Sequence, residues 1–296
     1  MNAAATIQTQ PCSATLRPQS AHIPALAAGS TVPDLRIGPA TMRQPDTVFL
    51  HGVLSSPNMW KGLSRPDDPL NAVALPLPGH FPWALPPQDV ANLLTDFKFL
   101  HAYRNRIREL TDRRVRLVAH STGALAALKM AALWPDLIDR VVLFGALGCG
   151  RKAATRSMMA NAVTMPWIGR SLFRLLYDLW LHSPNLYAMG VATAKARQDR
   201  REPLPIHEQT ILRDLRRSDP ESLRAVVRWL QTTSVTDDLP GIEVAVTVVI
   251  GARDPVVEAD EQLRLARAIP SATAVICDAG HLPMFEAPRI VRNMLG

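Results

Sequence analysis

Val115-Arg-Leu-Val-Ala-His-Ser121-Thr-Gly-Ala-Leu-Ala-Ala-Leu128 changes character in its middle. Val115 to Ala119 is a short apolar, β-branched run, the pattern of a buried strand. Ala124 to Leu133 is an Ala/Leu helix that stops at Trp134-Pro135, where the proline ring clashes with the preceding turn and offers no N–H. A strand therefore runs into a helix through four small or polar residues, His-Ser-Thr-Gly.

The same alternation continues on both sides. Thr47 to Leu50, Asn71 to Leu75, Val141 to Phe144, Val244 to Ile250 and Ala272 to Cys277 read as strands. The run from Val244 is the longest and predicts a strand buried on both faces. Between them, Leu93, Leu94, Phe97, Leu100, Tyr103 and Ile107 recur at steps of three and four, which predicts one helix over 90–110. Glu261 to Ala268 and Pro288 to Leu295 read as further helices. Alternation of this kind predicts an α/β fold, with a mostly parallel, doubly wound sheet covered by helices on both faces. Residues 150–238 contain no strand pattern. They hold helical stretches broken at Pro166, Pro184, Pro203, Pro205 and Pro220, and so predict a helical cap inserted into the sheet domain. The expected organisation is a tail with an edge strand over 1–45, a core of 46–149 plus 239–296, and a cap over 150–238. Gly145 to Gly150 reads as the hinge into that cap.

Composition narrows the function. The chain has 296 residues, 47% hydrophobic and 20% charged, enough apolar surface for a full core and too little charge for disorder. No apolar run approaches the ~18 residues of a membrane span. The first residues carry neither a basic region nor an apolar one, so no secretory signal is expected. Cys12, Cys149 and Cys277 form no paired motif and read as free thiols, which makes the cytoplasmic compartment the expectation. The formal net charge is +7, and Arg151 to Leu230 accounts for all of it, with fourteen Lys and Arg against seven Asp and Glu. Arg200, Arg201, Arg213, Arg216, Arg217, Arg224 and Arg228 form either a solvated helix face or a rim that attracts anionic substrates. No nucleic-acid module, phosphate-binding loop or metal-ligand spacing is present, so no metal and no cofactor is expected.

A serine hydroxyl is a weak nucleophile until a base takes its proton, and the base must be oriented by an acid. Asp254 follows the strongest strand run and His281 follows the next, where loops leave the carboxyl ends of parallel strands. Asp278 is the nearest rival acid. Val118-Ala-His-Ser-Thr-Gly-Ala124 resembles the nucleophile elbow Gly-x-Ser-x-Gly, with Ala119 in place of the first glycine. Together with His51-Gly52 and Trp60, Gly251 with Asp254, and Gly280-His281 with Glu286 and Pro288, it makes residues 45–296 resemble an α/β-hydrolase-fold protein with a helical cap. The resemblance implies Ser121 as nucleophile, His281 as base and Asp254 as orienting acid. It implies an oxyanion hole from the N–H groups of Thr122 and Val53, with Leu54 the alternative to Val53. Pro76-Leu-Pro-Gly-His-Phe81 departs from the family's Asp-Leu-Pro-Gly-His-Gly loop at both ends. A serine at the elbow disfavours the dehalogenase and epoxide-hydrolase chemistry of relatives that place Asp there.

Met165, Trp167 and Phe173, in the apolar first half of the cap beside Met158 and Met159, are expected to line an acyl pocket. The reading is a serine hydrolase for a small or medium, largely apolar carboxylic ester or thioester, acting through an acyl-enzyme. The alternatives are an acyltransferase or a carbon–carbon hydrolase on the same triad, and a non-catalytic binding protein of the same fold. The expected partner is a small-molecule acyl substrate, with no nucleic acid and no stable membrane insertion. The sequence leaves the oligomeric state open.

Overall fold

The apolar runs form one seven-stranded sheet in a computed structural model that describes residues 31–41, 44–150, 158–196 and 205–295. The tail over 1–30, with Cys12, lies outside the described residues, as do Arg200, Arg201 and the side chains of Met158 and Met159. The strands are β1 (Leu35–Ile37), β2 (Thr47–Leu50), β3 (Ala72–Leu75), β4 (Val115–His120), β5 (Ile138–Phe144), β6 (Ala245–Gly251) and β7 (Ala272–Cys277). Their order across the sheet is β1-β3-β2-β4-β5-β6-β7. Every neighbouring pair is parallel except β1 with β3. After β2 the chain steps outward to β3 and then crosses back to β4 on the other side of β2. The loops that follow β2 and β4 therefore part from each other, leaving the crevice where open α/β sheets bind ligands.

Side chains alternate along each strand, so the two faces feed two cores. Leu117 and Ala119 of β4 join one cluster with helices α2 (Phe99–Leu110) and α3 (Thr122–Leu133). Val118 joins the other with Phe49, which stacks on the fully buried Trp60 at 4.8 Å. The second cluster also takes up the inner side chains of the inserted helices. Those helices lie between β5 and β6: α4 (Met158–Thr164), α5 (Gly169–His182), α6 (Pro184–Ala192), α7 (Ile206–Arg216) and α8 (Pro220–Thr232). Two backbone bonds close the neck of the insertion, Val235 N–H to Gly148 O at 2.8 Å and Gly150 N–H to Thr233 O at 3.0 Å.

The structure corrects the single helix expected over 90–110. It is α1 (Pro87–Leu94) and α2, separated at Asp96 and Phe97, which have φ of 52° and 57°. Aspartate tolerates this left-handed conformation better than most residues. The break turns Phe97 edge-on to Trp229 of α8 at 5.3 Å, so the apolar period survives it. The strand from Ala245 is buried on both faces only over its last four residues, and Ala245 itself is exposed. Helix α9 (Ala259–Ala268) joins β6 to β7, and after β7 follow α10 (Pro283–Glu286), which the pattern does not reveal, and α11 (Pro288–Asn293). Among the described residues no helix is long and apolar enough to cross a membrane.

Candidate active site

Ser121 stands between β4 and α3 with φ 50° and ψ −118°. A non-glycine residue there is strained by about 1–3 kcal/mol and persists only where its surroundings hold it. Here its N–H donates to Phe144 O at 3.0 Å, and its carbonyl accepts from Ala124 N–H at 2.8 Å. Two residues on, a Cβ at Gly123 would lie 2.7 Å from His51 O and 2.8 Å from Leu50 O. Glycine thus lets the first turn of α3 press against the end of β2. Ala119, at the departed glycine position, is fully buried between Leu50 and Leu143. Thr122 opens α3, so its N–H has no intrahelical partner and sits at the positive end of the helix dipole.

His281 and Asp254 are brought together from the loops after β7 and β6. His281 Nδ1–H donates to Asp254 Oδ2 at 2.9 Å. Three more donors fill the Asp254 carboxylate: Val256 N–H at 2.8 Å, Val257 N–H at 2.9 Å and Gln262 Nε2 at 2.9 Å. Gln262 is fully buried and had no signal in the sequence, because a helix glutamine is usually solvent-facing. The His281 ring lies over Gly145, where φ is 54° and a Cβ would meet Nδ1 at 2.7 Å. Its backbone N–H donates to Ala194 O at 2.8 Å. Glu286 accepts from Gly280 N–H at 3.0 Å and Ala196 N–H at 2.7 Å, tying the histidine loop to the end of α6. The rival Asp278 faces solvent at 72% side-chain exposure and pairs with Arg253 at 2.5 Å, away from His281.

Three further buried histidines shape the crevice. His120 Nε2–H donates to the carbonyl of His281 at 2.8 Å, which leaves its Nδ1 without a partner. Burial, and then the neighbouring His281, hold its pKa well below the ordinary value, so it stays neutral. His51 fastens its own loop, with Nδ1–H on Gly52 O at 2.8 Å and Nε2 accepting Leu77 N–H at 3.0 Å. His80, whose pKa burial pushes down to about 4, accepts Leu54 N–H at 3.2 Å. That bond occupies Leu54 N–H, whereas Val53 N–H makes no hydrogen bond among the described residues. The loop that departs from the family pattern is thereby fixed in place. Tyr103 OH binds Pro76 O at 2.7 Å and Phe81 N–H binds Ser218 Oγ at 2.9 Å.

Ser121, His120, His281 and Val53 line one cavity of about 670 Å³. The cap supplies its far wall through Leu176, Trp180, Tyr187, Ile211 and Leu230, and no described lining residue is charged. The three cap residues expected in this pocket are elsewhere. Phe173 is fully buried in the core, stacked on Tyr177 at 6.0 Å. Met165 and Trp167 line a separate outer groove with Arg170, Arg224 and Arg228. An apolar helix residue packs wherever its face points, and composition does not say which face meets the sheet. The arginine rim that was the alternative to a solvated helix face is absent from the described lining of this pocket. Arg216 donates to Leu181 O at 2.9 Å, and Arg217 lies 3.7 Å over the Phe81 ring.

Comparison with known proteins agrees with this fold. The model of the alpha/beta hydrolase family matches residues 47–293. An uncharacterised protein of Mycobacterium tuberculosis is 24% identical over 262 residues, 82% of this chain and 72% of the relative. The pimeloyl-(acyl-carrier protein) methyl ester esterase of Aromatoleum aromaticum is 28% identical over 254 residues, 83% of this chain and 95% of the relative. Among solved structures, an enol-lactonase from Burkholderia xenovorans LB400 superposes with a TM-score of 0.64 at 18% identity, over 89% of this chain and 94% of that one.

Proposed function

The chain belongs to the alpha/beta hydrolase family, and on that premise we propose that it is a serine hydrolase for an apolar carboxylic ester or thioester of small to medium size. His281 Nε2 takes the proton of Ser121 Oγ as that oxygen attacks the acyl carbon. The carbonyl oxygen becomes an oxyanion held by the N–H groups of Thr122 and Val53. His281 then gives its proton to the leaving oxygen or sulfur, and an acyl-enzyme remains. Water repeats the sequence in the second step and releases the acid. Asp254 fixes the tautomer and orientation of His281 and stabilises the imidazolium.

The observation that carries this reading is the 2.9 Å bond between His281 Nδ1 and Asp254 Oδ2 beside Ser121, in a cavity whose described lining has no charge. An uncharged wall favours an uncharged acyl chain, because a carboxylate moved into it would lose its hydration without a partner. The same argument disfavours half-esters of dicarboxylic acids. Rates on a series of p-nitrophenyl esters and acyl thioesters, with a half-ester of equal length included, test the proposal. It predicts turnover of neutral acyl chains and poor turnover of the half-ester. Equal rates on the two would refute the apolar-acyl assignment. Acyl transfer to an added alcohol in preference to water would refute hydrolysis.

A further inference from the structure

Helix α5 is apolar on two opposite faces. Phe173, Tyr177 and Leu181 recur every four residues and turn into the core. Ile168, at the start of the helix, and Leu175 and Leu179 fall within about 40° of one another on the far side, at 3.6 residues per turn. Those three are 57%, 63% and 55% exposed. Ten large apolar side chains are exposed among the described residues, and six of them lie between Met165 and Met189. The stripe has a direction. Leu179 and Met189 also line the Ser121 cavity, so they mark its mouth. From there the stripe climbs about 16 Å, at 1.5 Å per residue, toward Trp167, whose side chain is completely exposed.

Beside Trp167 lies a second cavity of about 690 Å³, bordered by Arg170, Arg224 and Arg228. One carboxylate, Glu221, is shared by Arg170 at 3.1 Å and Arg224 at 3.0 Å. Arg228 has no ion-pair partner among the described residues, so three guanidiniums face one carboxylate. Guanidinium binds phosphate oxygens in pairs, and tryptophan with aliphatic neighbours settles at the boundary between headgroups and acyl chains. A second copy of this chain would bring the same positive groove and repel it. A soluble acidic protein would answer the arginines but leave the tryptophan and the leucine stripe in need of an apolar surface. An anionic bilayer answers both.

We propose that this face of the cap docks on an anionic lipid bilayer. Lipid phosphate occupies the Arg170–Arg224–Arg228 groove, and the mouth at Leu179 and Met189 opens toward the membrane to receive a lipid-soluble ester. The docking stands by itself; only the delivery of an ester rests on the proposed hydrolase reading.

Sedimentation of the full chain with phosphatidylcholine vesicles, with and without a quarter of phosphatidylglycerol, tests it. The wild type should bind the anionic vesicles about tenfold or more tightly than the neutral ones, since several basic residues would lie near the charged surface. That preference should fade as salt shortens the Debye length from ~10 Å to ~3 Å. The variant W167Q/I168Q/L175Q, which leaves the lining of the Ser121 cavity untouched, should lose about tenfold or more on both vesicle types. Arg228→Glu should lose chiefly on the anionic ones. Both should hydrolyse a short water-soluble ester at rates within about twofold of wild type, which also reports that they fold. Absence of vesicle binding by the wild type, or binding unchanged in the triple variant, overturns the proposal. So does a dimer, or a complex with an acidic carrier protein, that forms through this face while vesicles are ignored. If vesicles bind but the short ester is untouched, the hydrolase reading fails and the docking stands.

Discussion

The sheet and the cap meet at one cavity, and they hold their side chains in different ways. On the sheet side, Ser121, Asp254 and His281 leave the carboxyl ends of the adjacent part of one sheet, and hydrogen bonds fix each of them. On the cap side the wall is apolar side chains such as Leu176, Ile211 and Leu230, held by packing alone. The cap reaches the histidine loop through backbone, with Ala194 O on His281 N–H and Ala196 N–H on Glu286, and through the His207 ring, 4.9 Å from that of Phe285. Directed bonds tolerate little change of residue, whereas an apolar wall accepts swaps of similar volume. On the proposed function, the reaction is built into the sheet and substrate choice into the cap.

Removing the nucleophile is the strongest way to break this division. Ser121→Ala should cost ~10⁵–10⁶ in kcat, because triad members act as one unit, and should leave the circular dichroism spectrum unchanged. A tenth of wild-type turnover in that variant would end the assignment. Asp254→Asn should cost about 10⁴, since the histidine would be held in the wrong tautomer. Asp278→Asn, which touches only the exposed Arg253, should change steady-state rates by less than about twofold. The reverse ranking would move the acid to the other loop.

Smaller effects sharpen the line between the regions. Phe173→Ala removes a core side chain of the cap and should cost about 3–5 kcal/mol in urea unfolding, with no change in acyl-chain preference. Leu176→Trp, in the cavity wall, should shift that preference toward shorter chains. A shifted preference in Phe173→Ala would place that ring at the substrate instead of the core. Acid should act on the sheet loops, where His51, His80 and His120 are fully buried and neutral. His80 titrates at about 4 in the folded chain against 6.5 ordinarily, so between those values only the unfolded chain takes up its proton. Stability should fall as the pH drops from 6.5 to about 4, by about 3 kcal/mol from this group at ~1.4 kcal/mol per unit. His80→Gln should be weaker than wild type at pH 7 and lose less on acidification, read from urea midpoints at the two ends of that range.

The same contrast decides what the chain reveals without coordinates. Buried parallel strands leave continuous apolar runs, so Val115 to Ala119 and Val141 to Phe144 are legible, whereas Ala272 to Cys277 is a largely uncovered edge strand marked only by its composition. Ser121, Asp254 and His281 are legible as a candidate set because each follows a strand run, in the chain order of the family that the elbow resembles. The break at Asp96 was hidden, since both helices face one core and keep one period. Val53 and Leu54 could not be separated in sequence, because the group that occupies Leu54 N–H is His80, from a different loop. Met165, Trp167 and Phe173 stand out in sequence by apolarity alone, which says that a residue seeks cover and not which face provides it.

On the proposed function, Ser121 is a nucleophile made reactive by His281 and Asp254. Treatment with a fluorophosphonate, followed by intact-mass measurement and peptide mapping, tests it without knowledge of the substrate. The account predicts one adduct per chain, located on Ser121, absent from Ser121→Ala and markedly slower to form in Asp254→Asn. An unmodified chain, or an adduct on another residue, would contradict it.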